Sequence, residues 1–546
     1  MQFALFIIAL CPIIWLVIGL SGLKLSAHIA TPISLLIAFV LSLVVWHKTP
    51  IDMLTGGLEG VAMALWPICW VIVAAIFTYN LTVHTGKMED IKGMLTSVSP
   101  DKRVLVLIIA WGFGCFLEGM AGFGTAVAIP ASMLWALGFN PLTAAAICLV
   151  ADTVPVAFGS VGIPVTTLSQ VTGIKGAALA NGSSIQLFLF GIIVPFVLVI
   201  MVGKSVKALK GVGLLTLLSA VSYTVPQFLI AKVSGEALPA IIGSVCTMAV
   251  TIIGARRVSK KLAVKYPEYE VELEGSSGTA TASAAEGGAA SGAAPQAAAT
   301  AAVAKKKPLT LGGAINAWLP FLLIFILLTV TSLIPPIHQA LATIKTSVKI
   351  YTGSNAAAYT FTWIGVPGTM IMISAFIGGL AQGANFGEIL GVLGRTVKQL
   401  TRTIITVVSV LALAKIMGYA GMVSAIATML VIMTGTFYPL IAPLIGSLGT
   451  FITGSATSSS VLFGKLQTSA ASQLHLNESK TVWLAAANAT GATAGKIISV
   501  QSIATAVAAT SLVGQDGKLF SKVMKYYIGY IIIAGVIVFA GMNIFA

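Results

Sequence analysis

The sequence predicts an all-α polytopic membrane protein made of two inverted-topology repeats with broken or re-entrant helices. Three observations carry that prediction. The chain has 546 residues, of which 57% are hydrophobic and 9% charged, against about 25% charged in a soluble domain; its mean hydropathy is +1.00. Two polar, Gly-rich interruptions, one in each half, resemble each other. The Lys and Arg residues fall in loops that, placed on one side, force the two halves to insert upside down to each other.

Apolar runs long enough to cross a bilayer set the elements. In the first half they are 3–22, 27–46, 61–80, 104–117, 142–160, 186–203, 212–232 and 237–254. In the second half they are 316–335, 360–381, 403–418, 422–434, 436–453, 480–496 and 524–545. Several are too short to span alone and read as half-helices, which gives roughly 12–14 crossings. Met1 to Leu20 has no basic leader region and is long enough to span, so it reads as the first helix. Pro130, Pro141, Pro155, Pro164 and Pro195 interrupt the core of the first half, where each removes a helix donor. These elements divide into a first repeat (1–210), an additional helix pair (211–254), a linker (255–312) and a second repeat (313–546). The linker opens with Arg256, Arg257, Lys260, Lys261 and Lys265 and becomes Ala/Gly/Ser-rich from Ser276 to Ala304. Such a composition buries too little apolar surface to order itself.

Orientation follows from the basic loops. Lys87, Lys92, Lys102 and Arg103 form one, and Lys204, Lys207 and Lys210 a second. The linker, Arg395 with Lys398 and Arg402, and Lys518 with Lys522 and Lys525 complete the set. Placing all of them inside puts both termini outside; Lys345 and Lys349 are exceptions. Basic loops of this kind meet anionic lipid, and the net charge of +15 does not point to nucleic acid. The five cysteines lie singly in apolar segments and no HExxH occurs, so the sequence calls for no metal and no cofactor. No nucleophile–base constellation appears either, which argues against an enzyme.

The repeated object is Phe116-Leu-Glu-Gly-Met-Ala-Gly-Phe-Gly-Thr125 with Ala151-Asp-Thr-Val-Pro-Val-Ala-Phe-Gly159. Its counterpart is Phe451-Ile-Thr-Gly-Ser-Ala-Thr-Ser-Ser-Ser460 with Ala487-Asn-Ala-Thr-Gly-Ala-Thr-Ala-Gly495. Phe116 and Gly119 align with Phe451 and Gly454 at one offset; Asp152 and Gly159 align with Asn488 and Gly495 one residue further on. Unwound backbone survives in a bilayer only when buried in protein or lining a wet cavity. Paired interruptions in two halves point to a transporter's binding site. The competing reading is two unrelated small-residue stretches that let helices pack closely.

Glu118 is the only acidic residue between Asp101 and Asp152 and sits at such an interruption. Intramembrane carboxyls are costly and line pathways or pair with something, and burial disfavours their charged form, which suits a proton carrier. Glu118 and Asp152 are therefore the candidates for proton coupling. Asp152 and Lys496 fall on opposite copies and would be cheaper paired than apart; Lys496 could instead attract an anion or snorkel at a helix end. Thr457, Ser458, Ser459 and Ser460 follow Gly454, and hydroxyls with free amides at a helix start cradle a carboxylate. Asn488 and Thr490 offer the same chemistry, as do Gly122, Gly124 and Thr125 in the first copy. Helix capping and interhelical hydrogen bonds are the structural alternatives.

At these residues the chain resembles the L-lactate permease family, which includes glycolate permeases. The resemblance rests on Leu65-Trp-Pro-Ile-Cys-Trp70, Phe116 to Gly124, Pro155-Val-Ala-Phe-Gly-Ser-Val-Gly-Ile-Pro164 with Gln170-Val-Thr-Gly173, Thr453-Gly-Ser-Ala-Thr-Ser-Ser459, and Gly495-Lys-Ile-Ile-Ser-Val-Gln-Ser-Ile503. It implies proton-coupled symport of small 2-hydroxymonocarboxylates such as lactate and glycolate by a multi-pass protein of the bacterial inner membrane. It also implies a fold like that of the wider ion-transporter superfamily. The chain departs from the family pattern at Ala456 and Ser460, where the pattern has Asp and Asn, and at Asp152, where it has Asn. A sodium-coupled or dicarboxylate carrier and an anion channel stay open as alternatives.

Overall fold

The computed structural model describes residues 2–23, 25–122, 124–271, 310–353, 358–510, 512 and 514–546. The low-complexity stretch Ser276 to Ala304 lies outside them. Among the described residues, 12 helices are long and apolar enough to cross a membrane, and a bent pair makes up to 13. The chain belongs to the polytopic helical class, with one small addition: a hairpin of β1 (Lys345–Val348) and β2 (Tyr359–Thr362).

Helices α1 (Gln2–Val17), α2 (Ala27–Val44), α3 (Pro50–Met63) and α4 (Trp70–His84) open the chain, with α5 (Lys87–Thr96) after them. The chain continues through α6 (Lys102–Val106) and α7 (Gly114–Met120), joined by a π-helical stretch, then α8 (Thr125–Ala136), α9 (Pro141–Ala151), α10 (Gly159–Thr172) and α11 (Gly176–Gly203). Next come α12 (Gly213–Ser234) and α13 (Pro239–Lys265). The second half holds α14 (Leu311–Leu333), α15 (Pro335–Ala342), α16 (Pro367–Ala381), α17 (Phe386–Ala420) and α18 (Met422–Thr434). It ends with α19 (Tyr438–Thr453), α20 (Ala456–Gln473), α21 (Glu478–Ile498), α22 (Val500–Ala509) and α23 (Asp516–Gly541).

Several expectations change. The run 403–418 is the end of one 35-residue helix, started by an Asn385–Glu388 capping box; its first turns are too polar to score as membrane sequence. The run 142–160 is cut after Ala151, where Asp152 and a 3₁₀ turn through Pro155 end the helix. The largest correction concerns the second interruption of the second half. Asn488 to Gly495 lie inside the continuous helix α21, and the chain breaks at Ser499, where α21 and α22 meet at 43°. The glycines there serve packing. A Cβ on Gly491 would collide with the Pro443 carbonyl oxygen, and one on Gly495 with that of Ser447, so only glycine lets α21 approach α19 this closely. Arg103 is also not a free loop charge. It is fully buried, pairs with Asp101 at 2.6 Å, donates to the carbonyls of Ala208 and Lys210 at 3.0 Å, and lies 4.0 Å over the Tyr269 ring.

Two contacts place the broken helices. Lys522, near the start of α23, donates to Thr143 at the start of α9. Lys480, near the start of α21, donates to Asn543, just past the end of α23. A 26-residue helix is roughly 39 Å long, enough to cross a bilayer. The broken helices α9–α10 and α21–α22 therefore start at opposite ends of the molecule. Glu118 of α7 and the Gly454–Ser455 turn between α19 and α20 come to one cavity.

The two halves also meet outside that region. Lys415 of α17 pairs with Glu59 of α3 at 2.7 Å, and Tyr419 donates to the other Glu59 oxygen at 2.9 Å. Neither charge stood out in the sequence, because the partners are far apart along the chain and each was read only against its own apolar run.

Candidate functional site

The breaks converge on one small cavity of about 30 Å³, room for about two waters. Its wall takes Gly159, Ser160 and Pro164 from the start of α10, and Gly454, Ser455, Ala456 and Thr457 from the start of α20. Gln501 comes from the start of α22, with Val156, Glu118 and Lys496. Three helix N-termini thus face one space. The first amides of a helix have no acceptor within it, and the helix dipole adds positive potential there. At α20 the Ser455 hydroxyl takes the Ser458 amide at 3.3 Å, which leaves the amides of Ala456 and Thr457 without an intrahelical acceptor. At α22 the Ser499 hydroxyl caps the Ser502 amide at 3.1 Å.

The backbone around Glu118 is unusual. Ser160, Val161 and Gly162 all adopt left-handed conformations, with φ of 46°, 58° and 78°. For a β-branched residue such as Val161 this is strained, at about 1–3 kcal/mol, and such strain persists only where the surroundings enforce it. Here they do. The Ser160 hydroxyl donates to the Ala121 carbonyl at 2.9 Å, tying the α10 turn to the α7–α8 reversal. A Cβ on Gly159 would fall 2.6 Å from a Glu118 carboxyl oxygen, so glycine there makes room for the carboxyl.

Glu118, Asp152 and Lys496 are all buried. The two carboxyls act on each other, and both feel the Lys496 charge. The Lys496 ammonium donates to the Gly454 carbonyl at 3.4 Å. Among the described residues no ion pair within 4.0 Å joins Lys496 to Asp152, so the direct pairing expected from the sequence is absent from this conformation. One buried Glu118 oxygen and both Asp152 oxygens have no N–H or hydroxyl donor, and the two carboxyls are placed to share a proton with each other.

Of the residues singled out from the sequence, Glu118, Thr457 and Lys496 line the cavity. Asp152 does not line it. Gly122 packs on Ser160 and Glu118; Gly124 packs on Thr505; the Thr125 hydroxyl donates to the Gly122 carbonyl. These three shape the reversal without lining the space. The Ser458 amide closes the α20 cap, and the Ser459 hydroxyl donates to the Gly446 carbonyl at 2.6 Å. Ser460 is buried with its hydroxyl unpartnered. Asn488 is buried in α21 with both side-chain polar atoms unpartnered, while Thr490 donates to Gln186 at 2.8 Å. Sequence reasoning missed Ser160, Ser455 and Gln501. Gly159 and Gly454 were visible as aligned glycines, and Gln501 sat unremarked in a quoted stretch. Among the described residues no cluster of three His, Cys, Asp or Glu side chains could hold a metal ion.

Comparison with known proteins agrees with this architecture. The family model described as L-lactate permease matches residues 5–545. The L-lactate permease of Streptococcus iniae is 46% identical over 481 residues, covering 88% of this chain and 93% of that protein. The glycolate permease GlcA of Escherichia coli (strain K12) is 34% identical over 564 residues, covering 98% and 96%. The L-lactate permease of Bacillus subtilis (strain 168) is 32% identical over 567 residues, again covering 98% and 96%. A family match over nearly the whole chain, on a multi-pass helical frame whose breaks meet at one small cavity, places this protein in the L-lactate permease family.

Proposed function

We propose that the protein is a secondary active transporter. It carries a small 2-hydroxymonocarboxylate, lactate or glycolate, together with a proton across the bacterial inner membrane. The observation that carries this reading is the convergence of three helix N-termini and the Lys496 ammonium on one small cavity that also holds Glu118. Helix starts and a lone cation favour a carboxylate. The first-turn amides of Ala456 and Thr457 and the Thr457 hydroxyl would take the cargo carboxylate. The Ser160 hydroxyl and the Gln501 amide would take the 2-hydroxyl.

Charge counting supports the proton. Buried charges are cheapest when they sum to zero. With one of the Glu118–Asp152 protons present, the two carboxyls and Lys496 are neutral. A monocarboxylate anion then adds one negative charge, and a second proton cancels it. A cavity sized for about two waters admits a three-carbon acid only if its walls part. Opposite starting ends for α9–α10 and α21–α22 support two inverted repeats whose motif-bearing elements move against α1–α4 and α14–α17.

The test is counterflow in proteoliposomes with a panel of small carboxylates, in the presence and absence of sodium. Lactate and glycolate should exchange, and an inside-alkaline pH gradient should drive accumulation without sodium. A requirement for sodium, preference for dicarboxylates, or flux that a pH gradient cannot drive uphill would overturn the proposal.

A further inference from the structure

Four helices leave the cavity, two toward each end of the molecule. α8 starts at the Ala121–Gly124 reversal, which the Ser160 hydroxyl ties to the cavity wall, and ends just before α9. α22 starts beside Gln501 of the cavity wall and ends just before α23. Both therefore reach the end marked by the contact of Lys522 with Thr143 at 2.9 Å. That end is the linker-bearing face, because α11 runs antiparallel to α23. Gln186 donates to the carbonyl of Trp483, whose indole donates to that of Val538, and Phe190 stacks on Tyr530 at 3.7 Å. Gly203, at the end of α11, then packs on Tyr269 in the opening of the linker. α10 and α20 leave the cavity the other way, toward the starts of α11 and α21.

The two pairs are counterparts, since α8 and α20 follow the reversals and α10 and α22 follow the breaks, yet they pack differently. A Cβ on Gly464 of α20 would fall 2.5 Å from Leu168 and 2.9 Å from Val171 of α10, and Leu168 is fully buried. α10 thus rests in a notch of α20. α22 meets α8 at Thr505 against Gly124, close to the cavity, and further along both helices turn an open face outward. On α22, Gln501, Ala504 and Ala508 are exposed and Thr505 is half-exposed; on α8, Thr125, Ala128 and Ser132 are half-exposed. Each set recurs at the spacing of one helical face. Lipid does not explain these faces. α23 turns Ile528, Ile532, Val536 and Phe539 outward, as a hydrocarbon surrounding suits. Among the described residues, α8 exposes no large apolar side chain, and α22 exposes only Val500. Gln501 lines the cavity and is exposed, whereas Glu118, Lys496 and Thr457 beside it are buried, so the cavity is reached from the Gln501 side. At the far end Lys522 bonds a neutral hydroxyl, which leaves positive charge at the mouth to attract an anion.

We infer that the open faces of α8 and α22 form the aqueous route by which a small carboxylate passes between the cavity and the linker-bearing face. Leu168 and Val171, seated on Gly464, seal the opposite route in this conformation. Alternation then requires α10 to lift from α20 as α22 closes on α8. This inference rests on the transport reading above.

The test uses full-length protein in proteoliposomes and a membrane-impermeant charged maleimide, with each introduced cysteine read by mass spectrometry so that the native cysteines do not interfere. K518C marks the linker-bearing side. A504C should label from that side roughly tenfold or more faster than I532C on α23, because the reagent takes the thiolate, which water supports and lipid does not. Saturating lactate should slow it. A508C serves if A504C fails to insert. G464L leaves no room for α10 to rest on α20; it should raise labelling of L168C from the opposite side and lower that of A504C. A504W fills the route and should lose lactate exchange while its thermal midpoint is kept. Labelling of A504C no faster than that of I532C would overturn the route, and L168C labelling unmoved by G464L would overturn the seal. The expected labelling in a protein that exchanges no lactate would uphold the route and overturn the transport reading instead.

Discussion

At the scale of single residues, the cavity separates groups that hold charge from groups that hold shape. Glu118→Gln keeps the shape of the side chain but cannot titrate. Concentrative uptake driven by an inside-alkaline gradient should vanish while some exchange persists, and intact pH-driven accumulation would move the proton to Asp152. Lys496→Gln removes the cation from the cavity wall. If Lys496 contacts the cargo carboxylate, the apparent affinity for lactate should fall roughly 10–100-fold, the worth of one charged hydrogen bond. Asp152→Asn in the same chain should not restore it. Recovery in the double variant would mean that Lys496 chiefly neutralises Asp152. Gly159→Ala tests shape alone. Its methyl would meet the Glu118 carboxyl at 2.6 Å, so transport should drop with little loss of folded protein, as read by detergent-solution size-exclusion. Glu118 and Lys496 were legible in the sequence because a lone charge in apolar surroundings is conspicuous. Ser160 and Gln501 were not, because a serine or glutamine acquires meaning only from the helix start it occupies.

At the scale of elements, small residues have two meanings that sequence spacing does not separate. Gly454 ends a helix in a left-handed turn, with φ of 74°, and its neighbours do form a break. Gly491 and Gly495 sit inside an unbroken helix and let α21 and α19 touch. The aligned glycines therefore located the right helices and misplaced one break by a few residues, from Gly495 to Ser499. Gly491→Leu should separate α21 from α19 and lower the thermal midpoint in detergent, at an overpacking cost of about 1–3 kcal/mol or more. The Glu59–Lys415–Tyr419 cluster tests the contact between α3 and α17. Glu59→Gln leaves Lys415 without its carboxylate; the pair is only partly buried, so the loss should cost about 1–3 kcal/mol. The measurable result should be a lower thermal midpoint, with lactate affinity kept in the molecules that remain folded. An unchanged midpoint would show that the pair is superficial.

At the scale of the whole molecule, orientation and architecture are one question. A reporter fused at Ala280 and another after Ala546 should fall on opposite sides of the membrane, with Ala280 inside; both on one side would sink the inverted arrangement. Shortening Ser276 to Ala304 should leave transport per folded molecule within a few-fold, since none of the cavity residues lies there. The contacts of α23 carry a further consequence. Lys522 meets Thr143 at one of its ends, and Lys480 meets Asn543 at the other, so each broken helix enters from its own face and stops at a shared depth. Under the proposed symport, net direction would follow only the combined gradients of acid and proton, so vesicles that fill under an inside-alkaline gradient should empty when that gradient is reversed.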